Sequence, residues 1–200
     1  MSNLKECEAQ LNGLDEAERI YAAEDIGYMN DPEGVAILLK RLDNESSPAV
    51  RDIIFQALIR IDGDAAIEGC IRLFASDQPQ LRNQAVDALR HKGEPAVPFL
   101  NSVMHNGDRD TRKLVLDTLK GKRLNGTDAI YAAALSDPDQ NVVITAVENL
   151  GQVRAEQFRG RIEGLIQADS HPMLVAVCHE ALAKMAYKPP VAAVEGWLPC

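Results

Sequence analysis

Residues 47–58 read SPAVRDIIFQAL, and the same pattern of side chains returns as QPQLRNQAVDAL at 78–89 and as DQNVVITAVENL at 139–150. The last position of the pattern is an aliphatic anchor residue that recurs every 30 to 32 residues. Self-similarity at a fixed period of this length is typical of stacked supersecondary units, and such solenoids present extended binding surfaces. The six anchors are Ile26, Leu58, Leu89, Leu119, Leu150 and Leu182.

Each repeat divides into two predicted helices, A and B, and no segment alternates as a strand would. The position before helix A holds a good N-cap in four repeats, and the next position is proline in three, which suits the first turn of a helix. These residues are Asp15, Ser47, Asp108 and Asp139, then Pro48, Pro79 and Pro172. Helix A runs about twelve residues, and glycines are predicted to mark where it stops. These glycines are Gly27, Gly63, Gly93 and Gly151.

The fold predicted from this pattern is an all-α, right-handed α-solenoid of about six helix pairs, with the B helices on its concave side. It forms one array over residues 1–200, in which residues 1–14 are a capping helix. A coiled-coil seam is the other interpretation of that helix, but two heptads are too few for one. The sixth B helix is predicted to start at Pro189 and Pro190 and to bury Val191, Val194 and Leu198. The repeats span about 15–43, 44–76, 77–105, 106–136, 137–168 and 169–200.

Composition narrows the class of function. The net charge is −9 and the pI about 4.9, so binding to nucleic acid or to an anionic membrane is not expected, since both need clustered Lys and Arg. The first ten residues lack the features of a signal peptide, and no apolar run is long enough to span a membrane. We therefore expect a cytoplasmic protein whose partner is another protein.

The repeat columns carry a resemblance to a known family. Val50-Arg51, Leu58 and then Gly63-Asp64 follow a V-R, A-x-x-x-L and G-D-P-x-A pattern, and the next repeat follows it from Leu81-Arg82 onward. The chain resembles HEAT-like repeats of the phycobilin-lyase type. That resemblance implies an adaptor, a bilin lyase subunit or a factor acting on phycobilisomes, and a related branch comprises iron-containing hydroxylases.

Four arginines occupy one column, seven residues before the first four anchors. An anion-binding stripe is one interpretation. We favour a structural one, in which each guanidinium bridges carboxylates such as Asp43, Asp77 and Asp137 and loop carbonyls of neighbouring repeats. This arginine ladder consists of Arg19, Arg51, Arg82 and Arg112.

Catalytic and metal chemistry find little support. His179-Glu180 is a single His-Glu pair where the hydroxylase branch needs several, so no metal and no cofactor are expected. Cys70 and Cys178 lie on apolar helical columns and are predicted to be core residues. Cys7 and Cys200 are about 50 Å apart in a solenoid of this length, too far for a disulfide. No phosphate-binding loop or nucleophile motif occurs.

Repeat four has about two additional residues between its helices, within a segment (107–126) that carries six basic and three acidic residues. Insertions in repeat arrays form loops, often on the binding face. Lys120, Lys122 and Arg123 are therefore candidate binding residues, although a solvated loop tip explains them equally well. The predicted function is a non-catalytic protein-binding adaptor, scaffold or chaperone-like factor. The alternative is a bilin lyase subunit or phycobilisome-related factor that holds a tetrapyrrole, with Phe99 and Tyr131 as candidate ligand contacts.

Overall fold

A computed structural model describes residues 3–167 and 171–187, and twelve α-helices lie within those ranges. Helix α1 precedes six A helices, and each of the first five A helices is followed by a B helix. The A helices are α2 (Glu16–Met29), α4 (Pro48–Arg60), α6 (Pro79–Lys92), α8 (Arg109–Leu119), α10 (Gln140–Gln152) and α12 (Pro172–Ala186). The others are α1 (Leu4–Leu11) and the B helices α3 (Pro32–Leu42), α5 (Asp64–Arg72), α7 (Val97–Asn106), α9 (Thr127–Ala134) and α11 (Arg159–Gln167).

All six A helices begin at the residue that the repeat pattern indicates. The four predicted N-cap side chains each accept a hydrogen bond from a backbone amide of the first turn, which stabilises a group that the helix itself leaves unpaired. His171 does the same for α12. Gln78, before α6, makes no such bond, and proline at the next position supplies the start instead.

The helices stack as an all-α solenoid. Each A helix packs on the A helix of the next repeat, while α3 packs on α5 and α7 on α9 among the B helices. The anchors of the first five repeats are at most 1% exposed, so the column that defines the period is also the centre of the core. Leu182 is only half-buried. The B helix predicted for its repeat, with Val191, Val194 and Leu198, lies outside the described residues, as does Cys200.

Two of the four glycines predicted to end helix A lie inside helices instead. Gly27 belongs to α2 and Gly151 to α10. A Cβ added at Gly27 would stand 2.8 Å from the Cα of Ala57, and one added at Gly151 would stand 2.7 Å from the Cα of Ala181. Both glycines therefore permit two neighbouring A helices to touch through their backbones.

The other two glycines lie where the prediction put them. Gly63 precedes α5 with φ +90° and Gly93 follows α6 with φ +66°. Residues that carry a side chain rarely adopt either backbone conformation. The chain therefore turns from helix A to helix B at these two positions.

Candidate binding surface

The arginine ladder fastens the loop that leads into each helix A. In every case Nη1 donates to a backbone carbonyl five or six residues earlier, in the turn where the preceding chain enters the A helix. The four pairs are Arg19 with Leu14, Arg51 with Glu45, Arg82 with Ser76 and Arg112 with Gly107. These carbonyls would otherwise need water, so the ladder makes contacts that suit a structural role.

Two ladder arginines also bind a carboxylate of the described residues. Arg112 binds Asp137 of the next repeat through Nε and Nη2 at 2.6 and 2.8 Å. Arg19 binds Glu45 in the same manner, at 2.9 and 3.3 Å, rather than the expected Asp43. The expected partner Asp77 forms no ion pair within residues 3–167 and 171–187.

Glu45 is the most connected carboxylate of this edge. It accepts hydrogen bonds from Arg19, from Arg41 and from the amide of Ser47 while its side chain is fully buried. Burial by itself raises the pKa of Glu45, but these hydrogen bonds outweigh it and hold the pKa below the ordinary value of 4.5. The same balance, with Arg112 as the main partner, lowers the pKa of Asp137. The carboxylates of Glu45 and Asp137 are therefore ionised at neutral pH.

The opposite edge, where the A helices end, has a set of contacts that the sequence analysis missed. The last carbonyls of a helix have no partner within it, and here side chains of the adjacent repeat donate to them. Lys92 reaches back to the carbonyls of Ile59 and Ile61, and Lys122 reaches back to that of Arg90 at 2.6 Å. Both lysines stand three residues after an anchor, and that shared position is the signal that would have identified them.

Because of this contact, the three candidate binding residues in the loop of repeat four do not share one environment. Gly121 and Gly126, at φ +70° and +83°, shape the loop. The ammonium group of Lys122 is engaged in capping a neighbouring helix, whereas Lys120 and Arg123 are exposed and their side chains form no ion pair within the described ranges. Of the three predicted binding residues, these two keep free head groups.

The two aromatic candidates do not share a surface. Tyr131 is 2% exposed and meets Phe158 edge-on, with ring centroids 6.3 Å apart, so it is a core residue and not the surface contact expected from the sequence. Phe99 is half-buried against the core on α7. The structure therefore does not bring them together as the two sides of a ligand site.

A groove runs between the first two B helices, α3 and α5. Its volume is about 450 Å³, and it has apolar walls formed by Leu39 and Leu73 and cationic side chains from Lys40 and Arg72. A Cβ at Gly69 would stand 2.8 Å from the Cδ1 of Leu39, so glycine there lets the two helices approach at the floor. The remaining lining residues are Ala36, Asp43, Ala75 and Ser76.

A second groove, of about 420 Å³, lies at the edge where α6 and α8 begin, and it has the opposite character. Four aspartates line it against only Arg82 and Lys113. The four are Asp77, Asp108, Asp110 and Asp117. The two grooves adjoin each other, since Ala75 and Ser76 line both, but their charges differ in sign.

Other chemistry is sparse in the described part of the chain. No three His, Cys, Asp or Glu side chains there are grouped to hold a metal ion, and His179 is exposed. Burial raises the pKa of the Cys70 thiol to about 12, against the opposing charge of Lys92, so this thiol stays protonated. Cys7 and Cys178 are buried as well. Among the described residues, no helix has the length and apolar character needed to cross a bilayer.

Comparison with known proteins agrees with this architecture. The family model for HEAT repeats matches residues 5–90. The matched segment contains α1 and the first two repeats, including the groove between α3 and α5. No curated protein sequence matches the chain significantly.

Several solved structures of helical repeats are similar to this chain. The complex of CpcE and CpcF of phycocyanin lyase from Nostoc is 20% identical, with 94% of this chain and 78% of that chain covered and a TM-score of 0.44. Human deoxyhypusine hydroxylase is 18% identical, with coverages of 91% and 84% and a TM-score of 0.47. A designed armadillo repeat protein in complex with the peptide (KR)4 is 16% identical, with coverages of 92% and 100% and a TM-score of 0.42. The predicted resemblance to HEAT-like repeats is confirmed over residues 5–90 by the family model.

Proposed function

We propose that this chain is a non-catalytic protein-binding adaptor or scaffold that engages its partner through the surface of its B helices. The groove between α3 and α5 is the observation that carries the proposal, because it is open, half apolar and bordered by Lys40 and Arg72, which form no ion pair with any described residue. Protein-binding sites combine such an apolar centre with a polar rim. Lys120 and Arg123 provide a second, smaller contact on the loop of repeat four.

The adaptor is favoured over a tetrapyrrole-holding lyase subunit by the position of Tyr131. A planar ligand of that size needs exposed aromatic or aliphatic area on the B helices. Tyr131 offers none because it is 2% exposed, and Phe99 is half-buried. The aromatic platform expected from the sequence is therefore lacking among the described B-helix residues.

Site-specific photo-crosslinking in the native organism tests the adaptor. A benzophenone amino acid replaces Ala36, which is exposed on α3 beside the groove, and in a control variant it replaces Asp87, which is exposed on helix α6. We expect one discrete protein to be crosslinked from position 36 and not from position 87. Equal crosslinking from both positions, or none from position 36, would refute an adaptor that uses this surface.

A further inference from the structure

The groove between α3 and α5 carries a pair of cations placed by the repeat itself. Lys40 and Arg72 each stand fourteen residues after an anchor, Ile26 and Leu58. Equivalent positions of adjacent repeats lie roughly 10 Å apart, the packing distance of neighbouring helices. The two positive head groups therefore project from the two helices that form the walls of one groove.

These cations lie in a protein whose net charge is negative. The chain has 30 acidic and 21 basic residues, and six of its basic side chains form ion pairs in the described part. Lys40 and Arg72 are exposed and belong to none of those pairs. Asp43 is the single carboxylate among the described residues that line the groove, so two positive charges stand against one negative charge there.

Apolar side chains line the same groove as the two charges. Leu39 and Leu73 are half-buried and pack on the core while lining the groove. The small side chains Ala36 and Ala75 leave space above them. A ligand that fills the groove therefore meets both apolar side chains and two positive charges.

We infer that this groove binds an acidic segment of a partner protein, in which aspartate or glutamate residues flank an aliphatic side chain. Lys40 and Arg72 hold the carboxylates, and the aliphatic side chain lies on Leu39 and Leu73. Two separate carboxylates fit better than one phosphate because the two cations stand on different helices roughly 10 Å apart, farther than a single anionic group reaches. This inference rests on the proposed function and specifies the chemistry of the partner.

A short fluorescein-labelled peptide in which glutamates alternate with leucines is the probe, and its binding is followed by fluorescence anisotropy. The Lys40→Gln/Arg72→Gln variant should bind about tenfold more weakly, as expected when two exposed charge pairs are lost. The control variant Lys5→Gln/Arg60→Gln loses the same two residue types and the same charge at exposed positions outside the groove, and it should bind as the wild type does. Circular dichroism establishes that both variants are folded.

Three results would overturn the inference. The first is no binding of the glutamate peptide, or equal binding of a peptide with glutamine in place of glutamate. The second is an equal loss of peptide affinity in both double variants, which indicates general electrostatic attraction and not binding in this groove. The third is tighter binding of a phosphoserine peptide. If the peptide fails but crosslinking from position 36 persists, the partner chemistry is wrong and the adaptor stands; if that crosslinking also fails, the proposed function is wrong.

Discussion

Gly27→Ala should destabilise this protein although alanine is the better helix former. In an exposed helix interior the change stabilises by about 1 kcal/mol, because glycine has greater freedom in the unfolded chain. At Gly27 the new methyl carbon would stand 2.8 Å from the Cα and 2.9 Å from the Cβ of Ala57. Neither atom can move by a rotamer change, so α2 and α4 must separate.

The magnitude follows from these two opposing effects. Overpacking of a tight contact costs about 1–3 kcal/mol, and the rigid backbone contact places this site in the upper half of that range. After the gain in helix propensity is subtracted, we expect a net loss of about 1–2 kcal/mol in the free energy of unfolding. Urea titration followed by circular dichroism at the helical band measures it.

Gly164→Ala is the matched control. Gly164 also lies within a helix, α11, but an added Cβ there meets no described atom within 4 Å. This variant should be more stable than the wild type by about 0.5–1 kcal/mol. If Gly27→Ala proves as stable as the wild type, or if both variants shift in the same direction, the close approach of α2 and α4 does not explain the glycine.

The remaining predictions concern the core, the pH response and the loop of repeat four. Leu89→Ala should cost about 2–5 kcal/mol, because the anchor is 1% exposed; a loss below about 1 kcal/mol in urea titration would contradict its place in the core. The pKa of Glu45 is below 4.5 in the folded chain, so its stabilisation is present above the unfolded pKa and is lost as the pH falls through the folded pKa. The melting temperature of the wild type should therefore fall more steeply below about pH 4.5 than that of Glu45→Gln, and parallel curves would refute this. Lys122→Gln should lose about 0.5–1.5 kcal/mol with its hydrogen bond to the Arg90 carbonyl, whereas Lys120→Gln should stay within about 0.5 kcal/mol of the wild type; equal melting temperatures would show that the capping contact contributes nothing.

The loop of repeat four contributes to folding as well as being a candidate binding site, which the sequence alone did not predict. If repeat four merely carried a solvated insertion, changes to its basic residues would leave folding untouched. Because Lys122 caps the helix of the preceding repeat, a variant that alters it together with Lys120 and Arg123 confounds binding with stability. Lys120 and Arg123 are therefore the residues to change when partner binding is measured.

Much of the architecture could be predicted from the sequence because it depends on local signals that recur in each repeat. The start of each A helix depends on a cap or a proline within one turn, and the anchor column depends on helical spacing. Both signals can be recognised in one repeat and checked against the next repeat. Those signals located all six A helices and the five fully buried anchors.

Contacts between repeats were decided only by the tertiary structure. Gly27 ends no helix. It is glycine because the backbone of Ala57, 30 positions away in the sequence, packs directly against it. Arg19 pairs with Glu45 and not Asp43, and Tyr131 turns into the core, because loop geometry and packing set which of several nearby side chains are in reach. Periodicity specifies which residues occupy equivalent positions, but the distance between two such positions is a property of the folded stack.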